Sequence, residues 1–218
     1  MTSYRMIVFD WDGTLMDSAA AIVESIQAAS RDLGLQPPDD ARARHVIGLG
    51  LGDALRHAVP ELPESRYGEM VERYRYHYLS RDHDLRLFAG VRELVDELAA
   101  AGRMLAIATG KSRLGLDRAL KVSALGDRFH ASRCADECPS KPHPQMLLEL
   151  LEEFGLGPDE AVMVGDTTHD LQMAANAGLD AVGVAYGAHP RAALDGLSPR
   201  AVVDDVAGLA AWLRGGGW

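Results

Sequence analysis

Five short runs rich in Val, Ile, Ala and Met punctuate the chain: Met6 to Phe9, Met104 to Ala108, Ala161 to Val164, Ala181 to Val184, and Ala201 to Val203. Unbroken apolar runs of this length predict strands buried on both faces. Between the later runs, apolar positions recur at three- and four-residue steps in Val91 to Ala101, Pro144 to Phe154 and Leu171 to Ala177, which predicts helices. Strands alternating with helices imply an α/β fold built on a parallel sheet with helices on both faces.

The segment from Asp17 to Leu85 breaks that alternation. Ala19 to Leu33 and Tyr67 to Leu79 carry helical periodicity, Gly34, Pro37-Pro38 and Pro60 interrupt the segment, and no strand pattern is convincing. The economical organisation is a Rossmann-like core of residues 1–16 and 86–218, with a helical cap of residues 17–85 inserted after the first strand. Asp17 or Ser18 is expected to cap the first helix of the insert.

Composition narrows the class. The 218 residues are 47% hydrophobic and 25% charged, as in a globular protein with room for a sizeable core. Lys plus Arg number 22 against 32 Asp plus Glu, a formal charge of −10 that argues against nucleic acid or an anionic membrane as partner. The two cysteines, Cys134 and Cys138, lack a second Cys or His pair at zinc-site spacing and are too few for a disulfide framework, so a reducing cytoplasm is expected. No apolar stretch has the length of a membrane span, and the chain enters its first apolar run without a signal-peptide pattern.

Polar residues follow the predicted strands in a consistent order. The first strand ends in Asp10-Trp11-Asp12-Gly13-Thr14, the second in Thr109-Gly110-Lys111, and a later one in Gly165-Asp166-Thr167-Thr168-His169-Asp170. Lys141, in Ser140-Lys141-Pro142-His143-Pro144, precedes a predicted helix. In a parallel sheet these groups gather along one carboxyl edge, where open α/β sheets bind ligands. Each has a plain structural alternative: Asp166 and Asp170 as a helix cap and first-turn acid, Thr109 as a cap, Lys141 as a surface lysine. Their combination raises the chemical reading.

With D-x-D-G-T, Thr, Lys-Pro and G-D-x-x-x-D in that order over nearly the whole length, the chain resembles the haloacid dehalogenase superfamily, in the subgroup with a helical cap. The resemblance implies phosphomonoester hydrolysis through a phosphoaspartate, with Asp10 as nucleophile and Asp12 as general acid and base. It also implies Mg2+ held by Asp10, Asp166 and the carbonyl of Asp12, with Asp170 in support. Thr109, the backbone of Gly110 and Lys141 would bind the phosphoryl oxygens. This suits the chemistry, because a carboxylate attacking a phosphate dianion needs cations to neutralise both. The stretch His45 to Leu55 looks most like phosphoglycolate phosphatases, so a small phosphorylated metabolite is the expected partner. Arg44, His45, Gly48 and Gly50 are the cap residues marked for substrate specificity.

Other readings bear on the same residues. Within the superfamily, sugar-phosphate and nucleotide phosphatases, pyrophosphatases and phosphomutases share the framework. Asp12 argues against a dehalogenase, and the absence of lysine from residues 17–85 argues against a Schiff-base phosphonate hydrolase. A phospho-receiver signalling domain would carry its phosphorylated Asp on a later strand than its acidic pair; a binding protein would have no need of the whole set. Gly110-Lys111-Ser112 imitates a P-loop, but Leu105 stands where the first glycine belongs, and Gly48 to Asp53 imitates a dinucleotide fingerprint without its last glycine. His169 is expected to face solvent on its helix, and oligomeric state is not readable from these residues.

Overall fold

The computed structural model describes residues 4–215. The strands are β1 (Met6–Phe9), β2 (Met16–Asp17), β3 (Arg86–Leu87), β4 (Met104–Thr109), β5 (Ala131–Cys134), β6 (Ala161–Gly165), β7 (Asp180–Val184) and β8 (Ala201–Val203). The helices are α1 (Ala19–Asp32), α2 (Asp40–His45), α3 (Leu51–Ala58), α4 (Tyr67–Arg81), α5 (Val91–Ala100), α6 (Arg113–Ser123), α7 (Gln145–Phe154), α8 (Thr168–Ala177), α9 (Arg191–Asp195) and α10 (Val206–Gly215).

Six strands form one parallel sheet in the order β5-β4-β1-β6-β7-β8, the expected α/β class. β1 lies inside the sheet, with Phe9 beside Ile107 on one side and Val164 on the other. Its two-residue side-chain period divides the core cleanly. Ile7 and Phe9 join Leu105, Ile107, Val162 and Val164 under α5 and α10, while Met6 and Val8 join Ala106, Ala108 and Met163 under α7 and α8.

The strand β5 was not apparent from periodicity. Ala131-Ser132-Arg133-Cys134 has no apolar run, because this edge strand is covered less than its neighbours and only Cys134 is buried. Helix α6 was also missed; it begins where the Ser112 side chain accepts from the Gly115 N–H and its most exposed leucine, Leu114, weakens the apolar stripe.

Helices α1 to α4 lie between β2 and β3 and carry their own apolar cluster, in which Ile22, Val23, Ile26 and Ala29 of α1 face Val46, Leu55, Met70 and Tyr78. That spacing is one face of a helix. The two chain crossings into this insert pair with each other, Met16 opposite Leu87 and Asp17 opposite Arg86 in an antiparallel ribbon. Ser18 stands at the amino-terminal cap position of α1 but makes no capping bond; its hydroxyl is committed to Asp12, which corrects the expected capping role.

Candidate active site

The parallel register brings the ends of β1, β4 and β6 side by side, so Asp10, Thr109 and Asp166 meet at one edge of the sheet. Lys141 reaches them from the loop between β5 and α7. Its Nζ lies 2.9 Å from Asp10 Oδ1 and 2.6 Å from Asp170 Oδ1, and all three side chains are essentially fully buried. The Trp11 N–H also donates to Asp10 Oδ1, at 2.7 Å. Asp10 Oδ2, by contrast, is buried with no hydrogen-bond partner among the described residues.

Asp170 serves two purposes at once. Its Oδ2 accepts from the N–H and hydroxyl of Thr167, at 3.0 and 2.7 Å, closing a capping box at the start of α8, while Oδ1 holds Lys141. The helix-capping alternative and a role beside Lys141 are therefore both realised in one carboxylate. Asp166 is anchored through Oδ1 by the Thr14 hydroxyl at 2.8 Å and through Oδ2 by the Ala188 N–H at 2.7 Å. Gly13 makes this packing possible: at φ +82° it turns the chain where an added Cβ would sit 2.1 Å from Asp166 Oδ2.

Carboxylate oxygens of Asp10, Asp166 and Asp170 lie within 4.8 Å of one another, with one ammonium to offset three carboxylates. Burial raises the Asp10 pKa well above the usual carboxylate range, with Lys141 opposing and Asp170 and Asp166 adding to the rise. Burial, and then Asp170, push Asp166 up to about 7. Burial works against the charge on Lys141, but Asp10 and Asp170 outweigh it and raise its pKa above that of free lysine. Such a set has a deficit of positive charge and hard oxygen donors, one of them unpartnered, which is the donor chemistry of a divalent cation site.

Asp12 points elsewhere. Its Oδ1 accepts from Ser18 Oγ at 2.7 Å, and Lys111 Nζ lies 3.0 Å from Oδ1 and 2.9 Å from Oδ2. The same ammonium donates to Tyr78 Oη, 3.0 Å away on helix α4 of the insert. In the sequence Lys111 stands after the second strand in Thr109-Gly110-Lys111 and in the imitation P-loop, and neither points to these contacts. Its signal in the sequence was weak, because its partners lie 33 and 99 residues away.

Between the insert and the sheet edge lies a cavity of about 860 Å3, lined by Asp10, Asp12, Thr109, Gly110 and Lys111 from the sheet side and by Gly48, Gly50, Tyr74 and Tyr78 from the insert. Its size suits a small ligand. Gly110 passes directly beneath the insert loop, where an added Cβ would fall 2.4 Å from the Leu49 carbonyl oxygen and 2.6 Å from that of Gly48. The Gly50 N–H donates to Ser140 Oγ at 2.8 Å, tying the same loop to the residue before Lys141.

Arg44 and His45 do not line the cavity. His45, at the end of α2, stacks on His189 with ring centroids 5.2 Å apart and lies 5.3 Å from His169. The imidazoles of both His169 and His189 reach the His45 carbonyl oxygen, at 2.7 and 3.2 Å, so His169 is a contact between insert and core and not the solvent-facing residue expected. Burial and neighbouring imidazole charge push the His189 pKa down to about 4, which keeps that ring neutral. Among the described residues no helix is long and apolar enough to cross a membrane.

Comparison with known proteins agrees with the geometry. Over 207 residues the chain is 37% identical to the probable phosphatase IndB of Dickeya dadantii, covering 91% of this chain and 89% of that protein. It is 31% identical over 210 residues to a phosphoglycolate phosphatase of Agrobacterium fabrum, covering 94% and 90%. The crystal structure of a predicted phosphoglycolate phosphatase from Haemophilus somnus superposes with a TM-score of 0.87 at 28% identity, covering 97% of this chain and 99% of that one. The sequence profile of the haloacid dehalogenase-like hydrolases matches residues 7–184, spanning the strands that carry Asp10, Thr109 and Asp166, and the chain belongs to that family of enzymes.

Proposed function

We propose that this protein is a Mg2+-dependent phosphatase that hydrolyses a small phosphorylated metabolite, 2-phosphoglycolate or a close analogue, through a phosphoaspartate on Asp10. The observation that carries the reading is Asp10 Oδ2: a buried carboxylate oxygen without a partner among the described residues, on a residue that lines the cavity and whose other oxygen is held by Lys141 and the Trp11 N–H. An oxygen left unpaired in a buried site is costly unless a ligand completes it. In the proposed reaction it is the oxygen that attacks phosphorus.

Asp10 and Asp166, with the carbonyl of Asp12, are the residues that would hold Mg2+, and the bound ion would supply the positive charge that lets a carboxylate approach a phosphate dianion. Lys141 adds a second cation beside Asp10, and Asp170 holds that ammonium in place. Thr109 and the Gly110 N–H donate to the phosphoryl oxygens as charge develops. Asp12 protonates the leaving oxygen and then takes a proton from the water that attacks the phosphoaspartate. The insert acts as a cap over the cavity, excluding water and shaping the substrate end, with Gly48 and Gly50 at its lip.

The test is a phosphate-release screen over small esters, sugar phosphates, nucleotides and pyrophosphate. Release is expected to require Mg2+, to vanish with chelator, and to be strongest with 2-phosphoglycolate. Absence of Mg2+-dependent release from every ester would overturn the assignment.

The close fit at Gly110 yields a further expectation. In Gly110→Ala the new methyl group meets backbone oxygens of the insert loop, which cannot swing aside as a side chain can. Closure is then incomplete, and kcat/KM for small esters is expected to fall about tenfold or more in steady-state kinetics. Wild-type kinetics in that variant would show that the loop does not close on the sheet edge during turnover.

A further inference from the structure

Lys111 and Tyr78 form a second polar centre beside the proposed reaction site, in which the ammonium is fully engaged and the phenolic O–H is not. An ammonium has three donors, and those of Lys111 face Asp12 Oδ1, Asp12 Oδ2 and Tyr78 Oη. Tyr78 Oη accepts from Lys111, and its own proton is directed to no acceptor among the described residues. Lys111 and Tyr78 both line the cavity, so an incoming acceptor can meet the phenolic O–H directly and an N–H of the ammonium in exchange for Asp12.

The arrangement also has a consequence for Asp12. Both of its carboxylate oxygens are engaged by Lys111, and Ser18 adds a further bond to Oδ1. Held in this way, both oxygens already accept from the ammonium, so a leaving group that approaches Asp12 competes with Lys111 for it. A ligand that takes over the ammonium releases Asp12 toward the substrate, whereas a neutral ligand offers the ammonium nothing better than the carboxylate it already has.

We propose that Lys111, assisted by Tyr78, is the specificity-determining receptor for a second anionic group on the substrate, and that its transfer from Asp12 to that group frees Asp12 to act. The proposal rests on the phosphatase reading and names the substrate class: phosphomonoesters bearing a carboxylate or a further phosphate a short spacer away from the ester oxygen. The spacer is short because Lys111 Nζ lies only 2.9 Å from Asp12 Oδ2, so the leaving oxygen and the second anion must be received side by side. The receptor is also divided between the two parts of the molecule, Lys111 following β4 and Tyr78 standing on α4, so it is complete only when the insert is seated.

The test compares three esters of similar size with Mg2+ present: 2-phosphoglycolate, ethylene glycol bisphosphate and hydroxyethyl phosphate. The wild type is expected to favour at least one anionic ester over the neutral one by about 100-fold in kcat/KM, and the carboxylate and bisphosphate arms identify which anion is received. In Lys111→Met the preference is expected to fall at least about tenfold, through a raised KM for the anionic ester, while Lys111→Arg retains most of it. A merely structural role would depress all esters alike and leave the preference intact.

Equal kcat/KM for all three esters in the wild type would overturn the receptor while leaving the phosphatase reading standing, and so would a preference that survives Lys111→Met. If the methionine variant fails to fold, the wild-type comparison and Tyr78→Phe decide: loss of the donated O–H is expected to reduce the preference about threefold to tenfold, and an unchanged ratio would overturn the divided receptor. No phosphate release from these esters or from an aryl phosphate would instead remove the phosphatase reading itself.

Discussion

Asp10→Asn is expected to abolish phosphate release, lowering kcat by at least about 10^4-fold, because an amide cannot form the acyl phosphate on which the reaction depends. The same change is expected to leave the protein folded and, without metal, more stable at neutral pH. Asn keeps an oxygen for the Trp11 N–H, and it removes one of three carboxylates gathered around a single ammonium. The sign follows from burial, which raises the Asp10 pKa in the folded state. A group so raised contributes its stability below the ordinary carboxylate pKa and loses it as pH rises through the folded value. The gain in melting temperature over wild type should therefore grow as pH is raised and shrink in acid. Full activity in the variant, or collapse of its fold, would contradict this account of Asp10.

Lys141→Met is expected to damage stability and chemistry together. Lys141 is the only cation in contact with Asp10 and Asp170 among the described residues, and its removal leaves buried carboxylates facing one another. Breaking a buried pair in this way costs about 3–5 kcal/mol. For a domain of this size that is a loss of roughly 6–20 °C in melting temperature. Turnover should fall on the order of 10^3-fold, since the positive charge beside the phosphoryl group is gone. Added Mg2+ should recover part of the stability but not the rate. Arginine is expected to substitute poorly, because a planar guanidinium does not fit a site shaped around a fully buried ammonium. A Lys141→Met variant as stable as wild type would show that the carboxylates do not depend on it.

The parts of the fold that sequence patterning made legible are those buried on both sides. β1, β4, β6 and β7 carry enough apolar residues in succession to announce a parallel sheet, and the order of polar residues after them is meaningful because such a sheet gathers its carboxyl ends. β5 was hidden because an edge strand needs no such run, and Ala131-Ser132-Arg133-Cys134 offers none. Contacts that depend on how the insert seats were hidden for a different reason. Nothing local to Lys111 signals Tyr78, nothing local to Ser18 shows that its hydroxyl turns to Asp12, and no spacing rule links His45 with His169 and His189. Thr14 belongs to the first motif, yet its bond to Asp166 spans 152 residues and is visible only in the folded chain.

The most direct test of the central claim is chemical trapping at Asp10. Given an aryl phosphate, whose phenolate leaves without a proton from Asp12, Asp12→Asn should form the phosphoenzyme and hydrolyse it slowly, since the residue that activates water is lost while the nucleophile remains. Mixed with substrate and Mg2+, quenched and reduced with borohydride, this variant is expected to give homoserine in place of aspartate at position 10, identified by peptide mass spectrometry. An unmodified Asp10 in enzyme that has released phosphate, or modification at another acid, would contradict the claim that Asp10 receives the phosphoryl group.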